Sequence, residues 1–169
     1  AGQESILREQ LAYELYRVIA PEASYRTQLL KVNYVDTRDG STQSSYAILI
    51  EDTDELKDRL NGKSGKNMYG VTANQITNEA RVTMFNYMIG NNDYSFKMAR
   101  NLKFIKQEGD QGFTAIPYDF DFSGLVSAEY AGHSGKTNTA RTLVWEFGQD
   151  PNLNSSRGQF LYQKDELLT

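Results

Sequence analysis

The chain contains no cysteine, one histidine (His133), one tryptophan and three prolines among 169 residues. Without thiols, disulfide scaffolds, thiolate metal sites and cysteine nucleophiles are excluded. A single imidazole leaves no second nitrogen ligand for zinc, and the one route to a Ser-His-Asp arrangement runs through a Gly/Ser/Thr-rich segment. Metal chemistry in this chain has to use oxygen ligands. No apolar run approaches the roughly 20 residues that span a bilayer, and Ala1-Gly2-Gln3-Glu4 has neither the basic start nor the apolar core of a signal peptide. A mature or truncated chain is expected, with its domain continuing upstream. A net charge of -4 supplies no field for nucleic acid or an anionic membrane, so neither is expected as a partner.

What is present is a globular composition, 39% hydrophobic and 12% aromatic, at the length of one domain with a real core. Leu7, Leu11, Leu15 and Val18 recur at i, i+4, i+8 and i+11 and predict an amphipathic helix over 4–19, stopped by Pro21. Leu30, Val32 and Tyr34 alternate with polar residues, and after a polar turn residues 46–50 are again β-like, which predicts a hairpin. Thr53-Asp54 are expected to cap a short helix over 55–60, and 61–70 to be an aperiodic hinge loop. Thr72 and Gln75 have capping-box spacing before a helix whose apolar face is Ile76, Ala80, Met84, Tyr87 and Met88 and which ends at Gly90. Residues 102–105 and 113–116 flank a turn-rich linker and predict a second hairpin. Beyond it, 132–139 reads as a small-residue loop, 143–147 as strand or helix, 150–158 as loop and 160–168 as a last short element.

The second hairpin makes a geometric prediction. If Lys106 pairs near Phe113, counting outward sets Asn101 opposite Tyr118, so Asn101 and Asp119 emerge at one end, about 5 Å apart across the ladder. Asp93, on the loop after the third helix, can reach that end, and Asp121 follows two residues on. Oxygen donors gathered in this way suit Mg²⁺. In Tyr118-Asp119-Phe120-Asp121 two acids alternate with two aromatics, which puts the carboxylates on one face of an extended segment and the rings on the other. Each residue alone has a plain structural reading, since Asn and Asp favour turns. Their order and convergence argue for a site.

The order helix, acid-bearing loop, Asn, β-hairpin and Asp-Phe-Asp resembles the catalytic segment of protein kinases. Gly90-Asn91-Asn92-Asp93, Asn101-Leu102-Lys103-Phe104 and Ile116-Pro117-Tyr118-Asp119-Phe120-Asp121 are similar to the HipA-type and spore-coat CotH kinases and to uncharacterised, often exported, bacterial relatives. The resemblance covers about residues 7–131. It implies an α+β, protein-kinase-like fold, a single domain over 1–169 that lacks its N-terminal strands. Residues 1–60 would form a partial N-lobe of helix plus β-hairpin with the hinge, and 71–169 a mostly helical C-lobe bearing the catalytic hairpin.

By the same resemblance Asp93 is the catalytic Asp that orients or deprotonates the acceptor, Asn101 and Asp119 are metal ligands and Asp121 is an auxiliary ligand. Glu51 and Asp52 occupy the hinge that receives adenine, and Glu9 on the αC-like helix is an ion-pair partner of the nucleotide site. The implied cofactors are Mg²⁺ (or Mn²⁺) and ATP, the implied partners a nucleotide and a protein substrate or assembly partner, and the implied compartment is outside the cytoplasm. The implied activity is Mg²⁺-dependent phosphoryl transfer to a protein hydroxyl. The alternatives are a catalytically inactive kinase-like binding or assembly module and metal-assisted hydrolysis on the same carboxylates. Three departures stand against the pattern. Asp93 and Asn101 are eight residues apart instead of five, Arg100 stands where related sequences have His, and no Gly-rich phosphate loop precedes the first helix. Gly132-His133-Ser134-Gly135-Lys136-Thr137 resembles a Walker A loop, but Tyr130 replaces the required first Gly, and a flexible loop is the plain reading.

Overall fold

The computed structural model describes residues 2–127, 146–147 and 153–168. Helix α1 (Gly2–Ile19) ends in a 3-10 turn at Pro21–Ala23, where Pro cannot continue the helix. Its buried stripe differs from the expected leucine face. Ala12, Tyr13, Tyr16, Ile19 and Ala20 point inward, while Leu7 and Leu11 are 41% and 47% exposed. The inward set also has helical spacing, and two tyrosines bury more surface than the leucines they displace while supplying a hydroxyl.

Strands β1 (Thr27–Val35) and β2 (Thr42–Ile50) pair antiparallel from Thr27↔Ile50 to Val35↔Thr42, the hairpin that the alternation predicts. One face lies on α1, where Gln10 Nε2 donates to Thr27 Oγ1 at 3.0 Å and Ile48 packs on the core. Helix α2 (Thr53–Arg59) is capped by Asp52 and not by Thr53-Asp54: Asp52 has the extended backbone of an N-cap, and its carboxylate accepts the Asp54 N–H at 2.7 Å.

A second sheet has the order β3 (Gly62–Ser64), β4 (Leu102–Gln107), β5 (Thr114–Pro117). Strand β3 lies inside the stretch expected as a hinge loop. A Cβ at Gly62 would come within 2.5 Å of Ile105 Cγ2, so this glycine permits close strand packing. The Thr72/Gln75 capping box forms, but it caps a 3-10 turn at Ala73–Gln75. Phe113 N–H donates to Gln75 O and Thr77 N–H to Phe113 O, which ties the stretch to the sheet and delays α3 (Glu79–Ile89) until it is clear. The fully buried side chains of α3 are Val82, Thr83, Phe85 and Asn86, while Tyr87 from the expected face is 41% exposed.

Helices α4 (Leu153–Tyr162) and α5 (Lys164–Leu168) close the chain, so 153–158 is helical where a loop was expected. Gln159 Nε2 donates to Ile19 O at 3.2 Å and Gln163 Nε2 to Val18 O at 2.6 Å. These bonds satisfy the last carbonyls of α1 and anchor a segment whose composition alone reads as irregular. The Walker-like stretch and the 132–139 loop lie outside the described residues. The architecture is α+β, and one hydrophobic cluster joins α1, α2, α3, β4, β5 and Phe120. At its centre Tyr16 meets Phe85 and Tyr13 meets Phe120, both at 4.8 Å between ring centroids. Among the described residues no helix is long and apolar enough to cross a membrane.

Candidate functional site

Strands β4 and β5 pair from Leu102↔Pro117 to Ile105↔Thr114. One step outward, Tyr118 N–H donates to Asn101 O at 3.1 Å, the register counted from the sequence. Asn101 and Asp119 therefore leave the sheet at the same end. Both have left-handed backbones, φ +52° and +61°. Such conformations cost most L-residues about 1–2 kcal/mol but suit Asn and Asp. Asp119 N–H donates to Tyr13 Oη at 2.9 Å, so α1 pins the turn directly. Phe120 is fully buried against Tyr13 and Phe85, and its burial leaves Asp119 and Asp121 half-exposed at the core's edge.

Asp93 is delivered by an asparagine scaffold. Gly90 ends α3 with φ +68°, a left-handed cap that needs no side chain. Asn86 Nδ2 donates to Val82 O, Asn91 Nδ2 donates to Asn86 Oδ1 at 2.8 Å, and Asn91 Oδ1 accepts the Asp93 N–H at 2.9 Å. The long Asp93–Asn101 interval is absorbed by a small hairpin in which Ser95 and Arg100 exchange backbone bonds of 3.1 and 2.9 Å. The chain returns so that Asn101 Nδ2 donates to Asp93 O at 2.7 Å and to Asp93 Oδ2 at 3.1 Å. With its nitrogen so committed, the Asn101 amide offers a cation its oxygen. Arg100 Nε lies 3.3 Å from Asp93 Oδ1.

Glu9, one helical turn before Tyr13, joins these acids. Burial first, then the charges of Asp121 and Asp119, push its carboxyl up to about 7, against one hydrogen bond from the Phe120 backbone. Asp119 is pushed up to about 6 by burial, by the charge of Asp121 and a hydrogen bond with it, and by Asp93. Each of these acids therefore raises the cost of charging its neighbours. Among the described residues no group of three or more His, Cys, Asp or Glu forms a cage for a metal. Mg²⁺ is commonly held by one or two carboxylates together with waters and phosphate oxygens, and Asp119, Asp121 and the Asn101 oxygen are donors of that kind. The chemistry of these donors suits the ion.

Glu51 and Asp52 have local partners. Arg59 Nε and Nη2 grip Glu51 at 2.8 and 2.7 Å, and Arg26 N–H adds a third bond at 3.1 Å. Burial opposes the Glu51 charge, but these bonds outweigh it and hold the carboxyl below its ordinary value. Asp52 caps α2, so neither carboxylate is brought to the Asp119 cluster. A chain of contacts does connect the two places: Thr53 Oγ1 lies 3.2 Å from Tyr25 Oη, and the Tyr25 and Tyr118 rings are 6.0 Å apart.

Tyr13, the Asn86–Asn91 scaffold and the Arg100 contact were not singled out from the sequence. The Glu9–Tyr13 spacing of one helical turn was the available signal for the first, and the leucine repeat obscured it. Compared with known proteins, the chain matches no family model, no curated protein and no solved structure.

Proposed function

We propose that the chain carries the metal-binding and catalytic half of a kinase-like phosphotransferase, which moves a phosphoryl group from a nucleoside triphosphate to a protein hydroxyl. The observation that supports this reading is the convergence of Asn101, Asp119 and Asp121 at one end of the β4–β5 hairpin, with Asp93 hydrogen-bonded to Asn101. Asp119, Asp121 and the Asn101 oxygen would hold Mg²⁺, which when bound neutralises charge on the phosphates. Asp93 orients the acceptor hydroxyl and takes up its proton, Asn101 fixes Asp93, and Tyr13 holds the Asp119 backbone. The second reading is a kinase-like binding module without turnover.

Incubation with γ-labelled ATP, Mg²⁺ and a mixed protein acceptor tests the proposal. Label stably attached to protein and lost on chelation is the expected result. Free phosphate released without an acceptor would replace transfer by hydrolysis, and binding without either product would leave the binding module.

A further inference from the structure

Glu146 and Phe147 pack against the loop that carries Asp93 and Asn101. One Glu146 oxygen accepts the Ser95 hydroxyl at 2.6 Å, and the other accepts the Lys97 N–H at 2.9 Å. Ser95 Oγ in turn accepts the Met98 N–H at 3.0 Å, so a single carboxylate organises the tip of the Ser95–Arg100 hairpin. The Phe147 ring sits 5.8 Å from the fully buried Phe96 ring, with Lys97 Nζ 5.4 Å from its centroid. Gly70 N–H donates to Lys97 O at 2.6 Å, so Lys97 is held through both of its backbone groups.

Closing the small hairpin does not require these contacts, because Ser95 and Arg100 already exchange both of their backbone bonds. A carboxylate that accepts two hydrogen bonds from one short turn removes the turn's remaining freedom. The base of that turn is Arg100, which contacts Asp93, followed at once by Asn101, which bonds Asp93 twice. Any looseness at the tip is passed to the group that must meet the acceptor, and small displacements there are expensive in rate.

We propose that Glu146 is a positioning residue, anchored by Phe147, which clamps the Ser95–Arg100 hairpin and so holds Asp93 and Asn101 in place for transfer; the catalytic part of this proposal rests on the kinase-like reading. The test compares the full chain with Glu146→Ala and Glu146→Gln by amide hydrogen exchange and by transfer kinetics with Mg-ATP. In Glu146→Ala, exchange at residues 97–101 is expected to quicken by about tenfold or more, with residues 27–50 unchanged. The same variant should lose roughly 10- to 100-fold in kcat at nearly constant KM for Mg-ATP. Glu146→Gln keeps one acceptor oxygen and should recover part of both effects. Unchanged exchange at 97–101, or a shift in KM with kcat intact, overturns the proposal. Should Glu146→Ala fail to fold, Ser95→Ala removes one arm of the clamp and must move both readouts in the same direction. A wild-type chain that transfers no phosphate defeats the kinase reading and the catalytic part with it, while exchange still decides whether the clamp exists.

Discussion

Asp119 and Glu9 give the site a pH dependence whose sign follows from their surroundings. Their ordinary values are 3.8 and 4.5, and in the fold they stand at about 6 and about 7. Between these limits the folded state keeps protons that the unfolded chain has lost, so this contribution to stability is full below the ordinary values and fades as pH rises through the folded ones. If, as proposed, Mg²⁺ is held by the deprotonated acids, it relieves their repulsion and should raise the melting temperature more at pH 8 than at pH 5. Asp119→Asn should raise the metal-free melting temperature at pH 8 by about 2 °C, a small effect because the groups are half-exposed, and should remove the Mg²⁺ effect. Thermal melts at the two pH values decide: an equal Mg²⁺ gain at both, or a lower melting temperature for Asp119→Asn at pH 8, contradicts the cluster. Asn101 separates backbone from side chain. With φ at +52°, Asn101→Gly should keep the fold and lose Mg²⁺ binding, while Asn101→Ala should cost about 1 kcal/mol more than Gly in chemical denaturation.

At the scale of the element, the small sheet depends on close approach. Gly62→Ala would drive a methyl into Ile105 and should cost about 1–3 kcal/mol in urea denaturation while leaving Mg-nucleotide affinity within error. A neutral substitution would mean that β3 is not held as described. The elements also mark how far the sequence could be read. The β4–β5 register was legible because a turn-rich linker separates two apolar runs of similar length, and with it came the placement of Asn101 and Asp119 at one end of the hairpin. The helix faces were not, since Leu7 and Leu11 outrank Tyr13 and Tyr16 on most hydrophobicity scales, yet the tyrosines fill the centre and one of them bonds Asp119. Residues 153–158 read as a loop because their helix depends on Gln159 and Gln163 reaching the end of α1, a contact distant in sequence. The Asp93–Asn101 interval is closed by the Ser95–Arg100 bridge, a pairing of polar residues that no alternation in the sequence marks.

For the whole molecule, the residues expected to divide into two lobes share one core, in which Phe120, between Asp119 and Asp121 in sequence, meets both Tyr13 and Phe85 from two other parts of the chain. The acids are therefore held by the same packing that stabilises the fold, and the site should be preformed before any ligand arrives. Under the kinase-like reading the acids divide their work: Asp119 binds metal in the ground-state complex, while Asp93 acts on the acceptor in the transition state. The most direct test is calorimetric titration of Mg-ATP into wild type, Asp119→Ala and Asp93→Asn. The account predicts Mg²⁺-dependent binding to wild type and Asp93→Asn with affinities within about threefold, and none to Asp119→Ala. Equal binding by all three, or no binding by wild type, would contradict it.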